Sequence, residues 1–315
     1  MGGTAPFVTA AARATAAVAA LVAVVVAGAW VLAQPALSPS SAAIRAVADC
    51  AAITVLGLAV VPLLDGPRFR DDLLRRASGP LVAAAAGWLI AELVRMMLGA
   101  ADAADVPVSG LSAQTAWDFA TLTAAGRSGM FSLVAAAVIC GSAMLLRPAM
   151  SMRLAVTGAA GTGIAARAVT GHLAEGTVGA ISVVAHALAA AVWCGVLAAL
   201  VLTVHTRGQW ARVLPQFSRI SLISMSILLV GGTAGALSRI GAPADLYATG
   251  YGRLLLAKVA VTTALLILAW RYRSTWVPSA AAHRVSAQAS RRKSLIELAL
   301  MATALTLAAA LTVTG

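Results

Sequence analysis

Two histidines and three methionines are the side chains of this sequence with the clearest capacity to bind a metal ion. His172 and His186 lie near the facing ends of two consecutive apolar segments that a short turn joins. Neutral imidazole is a common metal ligand, and thioethers favour Cu(I). Because methionine in an apolar segment more often serves packing, only the combination of both residue types indicates a metal. We predict a copper-ion site with the following ligands: His172, His186, Met96, Met97 and Met130.

Charged side chains inside apolar segments form a second group, since a charge at the bilayer centre costs about 3 kcal/mol or more. Arg45 and Asp49 are spaced i,i+4. Glu92 and Arg95 are spaced i,i+3, so each pair shares one face of a helix. The charges for which we predict a function are Asp49, Glu92, Arg253 and Lys258. The two acids would compensate the charge of a bound cation, and the two basic side chains would hold the acids in its absence.

Other site chemistry is weaker or lacking in the sequence. Two histidines on neighbouring helices can also hold a b-type haem, but their unequal depth argues against that alternative. The sequence has no nucleotide-binding P-loop, no zinc-protease motif and no nucleophile elbow. Cys50, Cys140 and Cys194 have no CxxC spacing. We therefore predict no catalytic residues and a protein that is not an enzyme.

Composition defines the elements that must position these side chains. The chain has 315 residues, of which 61% are hydrophobic and 11% charged, against about 25% charged in soluble domains. In hydrocarbon every backbone N–H and C=O must be satisfied within its element, which predicts helices. The fold class is therefore an all-α, polytopic transmembrane bundle of about nine spans: 13–35, 41–64, 79–99, 126–146, 151–170, 178–204, 218–238, 251–270 and 294–313.

The distribution of basic residues predicts the orientation of these spans. Most of the 23 lysines and arginines lie at the span ends that share a side with the N-terminus, and the opposite loops carry acids instead. The positive-inside rule then places the N-terminus inside and the C-terminus outside. This asymmetry also accounts for the net charge of +12 without a nucleic-acid partner. We expect the first span to be retained rather than cleaved as a signal peptide, a basic linker to lie between the last two spans, and no internal repeat.

Several motifs resemble the copper resistance protein CopD family. These are Gly171-His172, His186 with Trp193 and Gly195, Phe217-Ser218-Arg219, the weaker Gly126-Arg127, and above all Thr249-Gly-Tyr-Gly-Arg-Leu-Leu-Leu-Ala-Lys258. The last one is similar to the family's T-x-Y-G-R-x-L-L-x-K signature. The resemblance covers about residues 120–275, and Cys194 departs from the small or aliphatic residue that is usual after the tryptophan.

The resemblance implies a multi-pass protein of the plasma membrane that transports copper ions into the cytoplasm. It divides the chain into an N-terminal three-span region (1–118), a CopD-like helical core (119–275), and a cytoplasmic linker with the final helix (276–315). In actinobacteria the domain also occurs fused to a CtaG-like oxidase assembly domain. This fusion suggests copper delivery to a respiratory cytochrome oxidase as an alternative. The two histidines leave a haem-binding redox protein open, and Lys258 and Arg253 leave open a non-metal transporter of an anionic substrate. The implied partners are the lipid bilayer, copper ions, and an extracytoplasmic copper chaperone or oxidase assembly components.

Overall fold

A computed structural model describes residues 5–170, 176–239 and 244–314, and within these ranges the chain is helical without strands. Short 3₁₀ turns follow α2 and precede α4, and a π-helical turn, Tyr272–Trp276, joins α10 to α11. The helices are α1 (Ala5–Ala33), α2 (Pro39–Val60), α3 (Pro67–Ala103), α4 (Ala113–Leu122), α5 (Ala124–Leu145), α6 (Met150–Ala168), α7 (Gly176–Thr203), α8 (Arg207–Arg239), α9 (Asp245–Ala248), α10 (Gly250–Arg271), α11 (Val277–Ala281) and α12 (Ala287–Thr314).

Eight helices of the described chain are long and apolar enough to cross a membrane, which confirms the predicted all-α polytopic bundle. The remaining predicted span corresponds to α6, whose 19 residues extend over roughly 28 Å. Arg153, near its start, contacts Leu74 near the start of α3, and Arg167, near its end, contacts Glu92 further along α3. Helix α6 therefore crosses the same depth of the bundle as α3, although its arginines lower its hydropathy. We call the two ends of the bundle inner and outer, after the predicted orientation.

Helices α2 and α7 cross in close contact at the centre of the bundle. A Cβ on Gly57 would overlap the carbonyl group of Gly195, and a Cβ on Gly195 would overlap the carbonyl oxygen of Ile53. Small residues at helix crossings in membranes allow backbones to approach this closely. The two glycines thereby fix α2 against α7, and α2 also packs against α3, α6 and α12.

The segment predicted as a polar linker before the last span is largely helical instead. Helix α10 continues through the π turn into α11, and α12 already begins at Ala287. Trp276 explains why this segment is ordered, because its side chain is buried and its indole Nε1 donates to Ser290 Oγ at 3.2 Å. Its ring also packs against Trp210 and Tyr272. An aromatic anchor therefore ties this segment to the inner end of the bundle.

A short outer helix precedes α5 and is fastened to it by a threonine cap and an arginine. Thr123 Oγ1 accepts a hydrogen bond from the Gly126 amide at 2.9 Å and donates to the Phe119 carbonyl at 2.7 Å. A side chain at Gly126 would overlap that carbonyl. Arg127 Nη1 donates to the carbonyl oxygens of Thr121 and Leu122 at the end of α4.

The same arrangement occurs where α9 precedes α10. Thr249 Oγ1 accepts from the Gly252 amide at 2.9 Å and donates to the Asp245 carbonyl at 2.7 Å. A side chain at Gly252 would again overlap that carbonyl. Arg253 Nη1 donates to the carbonyl oxygens of Tyr247 and Ala248, as Arg127 does in the first case.

These two caps show that the chain contains two halves with corresponding elements. In each half a helix enters from the outer side, a longer helix with an internal proline returns, and a short outer helix leads into a capped span of 22 residues. We call α2–α6 the first half and α7–α12 the second half. The expectation of no internal repeat is therefore wrong for the order of the helices. The sequence did not indicate this repeat, because the two caps share only a threonine, a glycine and an arginine.

Candidate functional site

Four charged side chains form a network in the outer part of the first half. Glu92 of α3 lies at its centre, and Arg95 Nε donates to Glu92 Oε1 at 2.9 Å. Arg167 of α6 lies between two acids: its Nη1 is 3.2 Å from Glu92 Oε2, and its Nη2 donates to Asp49 Oδ1 of α2 at 2.5 Å. The network therefore joins α2, α3 and α6 through two carboxylates and two guanidinium groups.

The centre of this network is buried, whereas Asp49 at its edge is 30% exposed. The side chain of Glu92 is fully buried, and that of Arg167 is 6% exposed. Gly129 of α5 provides the space for Arg95, because a Cβ there would lie 2.7 Å from Arg95 Nη2. Within the network two negative charges face two positive charges, so neither carboxylate is free to compensate an added cation without displacing an arginine.

The structure bears out one predicted ion pair and corrects the other. Glu92 and Arg95 pair across one helical turn as their spacing predicts. Asp49 pairs with Arg167 rather than with Arg45, which has no carboxylate within ion-pair distance in the described ranges. Arg45 nevertheless lies close enough to the network to interact with its charges. The correction has a physical reason, since burial of Arg167 on α6 requires a carboxylate opposite it.

His186 lies on α7 at the interface with α8. Its imidazole faces Gly231 and Gly232, and a Cβ at Gly231 would lie 3.3 Å from His186 Nδ1. This nitrogen is buried and has no hydrogen-bond partner among the described residues. Lys258 of α10 lies close enough for its charge to act on the imidazole. The interface thus holds a buried imidazole nitrogen with no partner at hydrogen-bond distance, next to the backbone of Leu228 on α8.

The predicted methionine ligands lie elsewhere. Met96 is buried at the interface of α3 and α5, where its Sδ would be 3.2 Å from a Cβ on Gly129. The adjacent Met97 is 43% exposed on the surface of α3, and Met130 is half-buried on α5. The described residues therefore do not bring these three thioethers to the interface that holds His186. His172 lies outside the described residues, so the predicted copper ligand set stays a prediction.

Arg253 and Lys258 do not hold the carboxylates of Asp49 and Glu92, contrary to the role predicted for them. Arg253 Nε donates to the Leu32 carbonyl of α1 at 2.7 Å, and its Nη1 binds the end of α9. Lys258 forms no ion pair in the part of the chain that the structure describes. Arg253 is therefore used to join α1, α9 and α10, because free carbonyls at a helix end attract a guanidinium.

Sequence reasoning missed one intramembrane acid, Glu297 of α12. Its side chain is buried, with 3% of the residue exposed, and it lines a cavity at the inner side of the second half. The signal was available, since Glu297 is a single acid inside the predicted span 294–313 and such residues are expensive there. Among the described residues no group of three or more His, Cys, Asp and Glu side chains is arranged to hold a metal ion.

Together these features define a multi-pass helical membrane protein with a compensated charge network in one half and uncompensated polar groups in the other. Comparison with sequence models of protein families gives two matches. Residues 36–182 match the copper resistance protein D-like N-terminal domain, and residues 211–311 match copper resistance protein D. The chain belongs to the copper resistance protein D family, as its motifs had indicated. No curated protein and no solved structure matches the chain.

Proposed function

We propose that this protein transports copper ions across the plasma membrane into the cytoplasm. The observation that carries the proposal is the buried, unpartnered Nδ1 of His186 in a chain that belongs to a copper resistance family. A buried polar atom without a partner is costly, and an imidazole nitrogen is a common copper ligand. A bound copper ion would supply the bond that this nitrogen lacks.

The charge distribution favours the second half as the place where the cation enters. In the first half both carboxylates are engaged by arginines. In the second half Nδ1 of His186 has no partner at hydrogen-bond distance, and His172 precedes α7 in the sequence. We propose that copper binds these two imidazoles from the outer side and that Lys258 then limits occupancy to one ion by repulsion. The sequence has no nucleotide-binding motif, so an ion gradient or a cytosolic copper acceptor would drive release.

Copper accumulation in cells that express single-site variants tests this function. His172→Ala and His186→Ala should each abolish most of the uptake that wild type adds to the host's background. His205→Ala is the matched control, because His205 is exposed at the inner end of α7 and contacts Arg76. Equal accumulation in wild type and both site variants would overturn the proposal, provided immunoblots show equal protein levels.

A further inference from the structure

A cavity of about 350 Å³ lies in the inner part of the second half, between α8, α12 and the turn from α10 to α11. Most of its wall is apolar or aromatic, including Tyr272 and Trp276. Two groups in the wall can ligate a cation: the carboxylate of Glu297 and the thioether of Met225. The cavity is separate from the outer charge network and from the interface that holds His186.

Glu297 is a buried acid without a counter-charge. No basic side chain of the described chain lies within ion-pair distance of it, and the indole of Trp193 on α7 is the donor that faces its carboxylate. That indole Nε1 has no partner at hydrogen-bond distance among the described residues. An ionised carboxylate in this position needs a cation, because burial of an uncompensated charge is strongly unfavourable.

Arg273 lines the cavity and Lys293 lies at its edge, and each has other partners than Glu297. Arg273 Nη1 donates to the carbonyl oxygen of Ser218 at 2.7 Å and to its hydroxyl at 3.1 Å. Lys293 lies one turn before Glu297 on α12, but its ammonium group is 5.6 Å from the ring centre of Tyr272 and 5.9 Å from that of Trp276. These aromatic faces thus already attract a cation at the edge of the cavity.

Both helices that form the cavity depart from regular geometry at its level. Pro215 interrupts the hydrogen bonding of α8, and the π turn Tyr272–Trp276 follows α10. Internal prolines free a carbonyl group, and π turns concentrate at functional sites. The π turn contributes Tyr272, Arg273 and Trp276 to the wall of the cavity, and Leu214 next to Pro215 also lines it.

We propose that Glu297 and Met225 form a second, inner binding site for monovalent copper on its way to the cytoplasm; this inference rests on the proposed transport function. A thioether selects Cu(I) over hard cations, the carboxylate neutralises its single charge, and the aromatic wall excludes water. Helix α7 connects the two sites, since Cys194 lies roughly 12 Å along the axis from His186 and close enough to Glu297 for their charges to interact. Copper leaving the imidazole therefore finds a thiol and then the inner carboxylate.

Cu(I) titration of the purified full-length protein in detergent, against a chromophoric Cu(I) chelator, tests the inner site. Glu297→Gln and Met225→Leu keep side-chain volume and should each remove one Cu(I) equivalent from the wild-type stoichiometry. His186→Ala should remove a different equivalent, so that its combination with Glu297→Gln loses both. Met301→Leu is the control for the thioether of Met225. Met301 is buried on α12, the helix of Glu297, and does not line the cavity.

The outcomes separate this inference from the proposed function. If wild type binds Cu(I) and loses one equivalent with His186→Ala, but Glu297→Gln and Met225→Leu bind as wild type does, the inner site is overturned and the transport proposal stands. If wild type binds no Cu(I), both fail. X-ray absorption of the His186→Ala protein loaded with Cu(I) gives a second readout: sulfur scattering should disappear on adding Met225→Leu and persist on adding Met301→Leu.

Discussion

The two halves of this molecule share one construction and differ in how their outer parts treat charge. In the first half two acids and two arginines neutralise one another across α2, α3 and α6. In the second half the described residues leave the imidazole of His186, the ammonium of Lys258 and the carboxylate of Glu297 without ion-pair partners. The contrast concerns the outer ion-pair network, since Arg153 of α6 in the first half is also buried and forms no ion pair within the described ranges.

The difference separates architecture from function. Charges that satisfy each other hold helices together, since an arginine between two carboxylates fixes three helices at one level. Charges and imidazoles that lack partners contribute nothing to folding and are retained at a cost. This agrees with the proposed cation sites in the second half, which packs against the first half through Gly57 and Gly195.

The sharpest test of this contrast is to remove one buried cation from each half. Arg167→Met leaves Asp49 without its ion-pair partner and Glu92 with Arg95 alone, which should lower the free energy of unfolding by about 3–5 kcal/mol. Lys258→Met removes a charge that has no partner in the described chain, so stability should be unchanged or higher. Unfolding of the purified protein by sodium dodecyl sulfate, followed by circular dichroism, measures both.

A rescue experiment controls that comparison. Adding Asp49→Asn to Arg167→Met removes the stranded carboxylate, leaves the pair of Glu92 and Arg95 in place, and should restore most of the lost stability. If Arg167→Met and Lys258→Met destabilise equally, the distinction between a compensated and an uncompensated half is wrong.

The contact between the halves should be the next most sensitive feature. Gly57→Ala and Gly195→Ala place a methyl group inside the backbone of the opposite helix, so each should cost about 1–3 kcal/mol by forcing α2 and α7 apart. Gly87→Ala and Gly141→Ala are matched controls in α3 and α5, because a Cβ there meets nothing within 4 Å. The controls should be neutral or more stable by about 0.5–1 kcal/mol, as alanine favours the helix. Unfolding midpoints that do not differ between the two pairs would contradict a tight crossing.

The elements of this fold could be predicted from the sequence, because hydrocarbon permits few alternatives to a helix for a long apolar run. The ion pair between Glu92 and Arg95 could also be predicted, because the two residues are neighbours on the surface of one helix. The partner of Asp49 could not, because Arg167 lies on α6 and only the packing of α6 against α2 brings the two together. Arg45 satisfies the spacing rule equally well, and spacing contains no information about the third helix.

The candidate site was predictable only in part. His186 could be identified by its residue type and depth, but the surroundings of its Nδ1 depend on Gly231 and Gly232 of another helix. The predicted methionines lie in the outer parts of their predicted spans, as His186 does, yet they are on helices of the first half. Glu297 could have been identified as a lone acid in an apolar span. Its cavity could not, because part of the wall is a π turn that no local pattern predicts.

The two arginines that fasten the short outer helices give the finest comparison between the halves. Arg127→Ala removes hydrogen bonds to two exposed carbonyl groups of α4 and should have a small effect. Arg253→Ala removes the equivalent bonds to α9 and also the 2.7 Å bond from Nε to the Leu32 carbonyl of α1. A part-buried hydrogen bond from a charged donor contributes about 1.5–3 kcal/mol, so the second variant should be the less stable one by that amount.

Protease sensitivity of the turn between α1 and α2 locates the cause of that difference. Loss of the Arg253 contact should speed cleavage there, because α1 loses a tie to α10, whereas Arg127→Ala should leave the rate unchanged. Arg253→Lys keeps the charge but cannot reach α1 and α9 at once, so it should cleave nearly as fast as Arg253→Ala. Equal stability and equal cleavage for the variants of Arg127 and Arg253 would mean that α1 is held by apolar packing alone, through residues such as Val26 and Ala29.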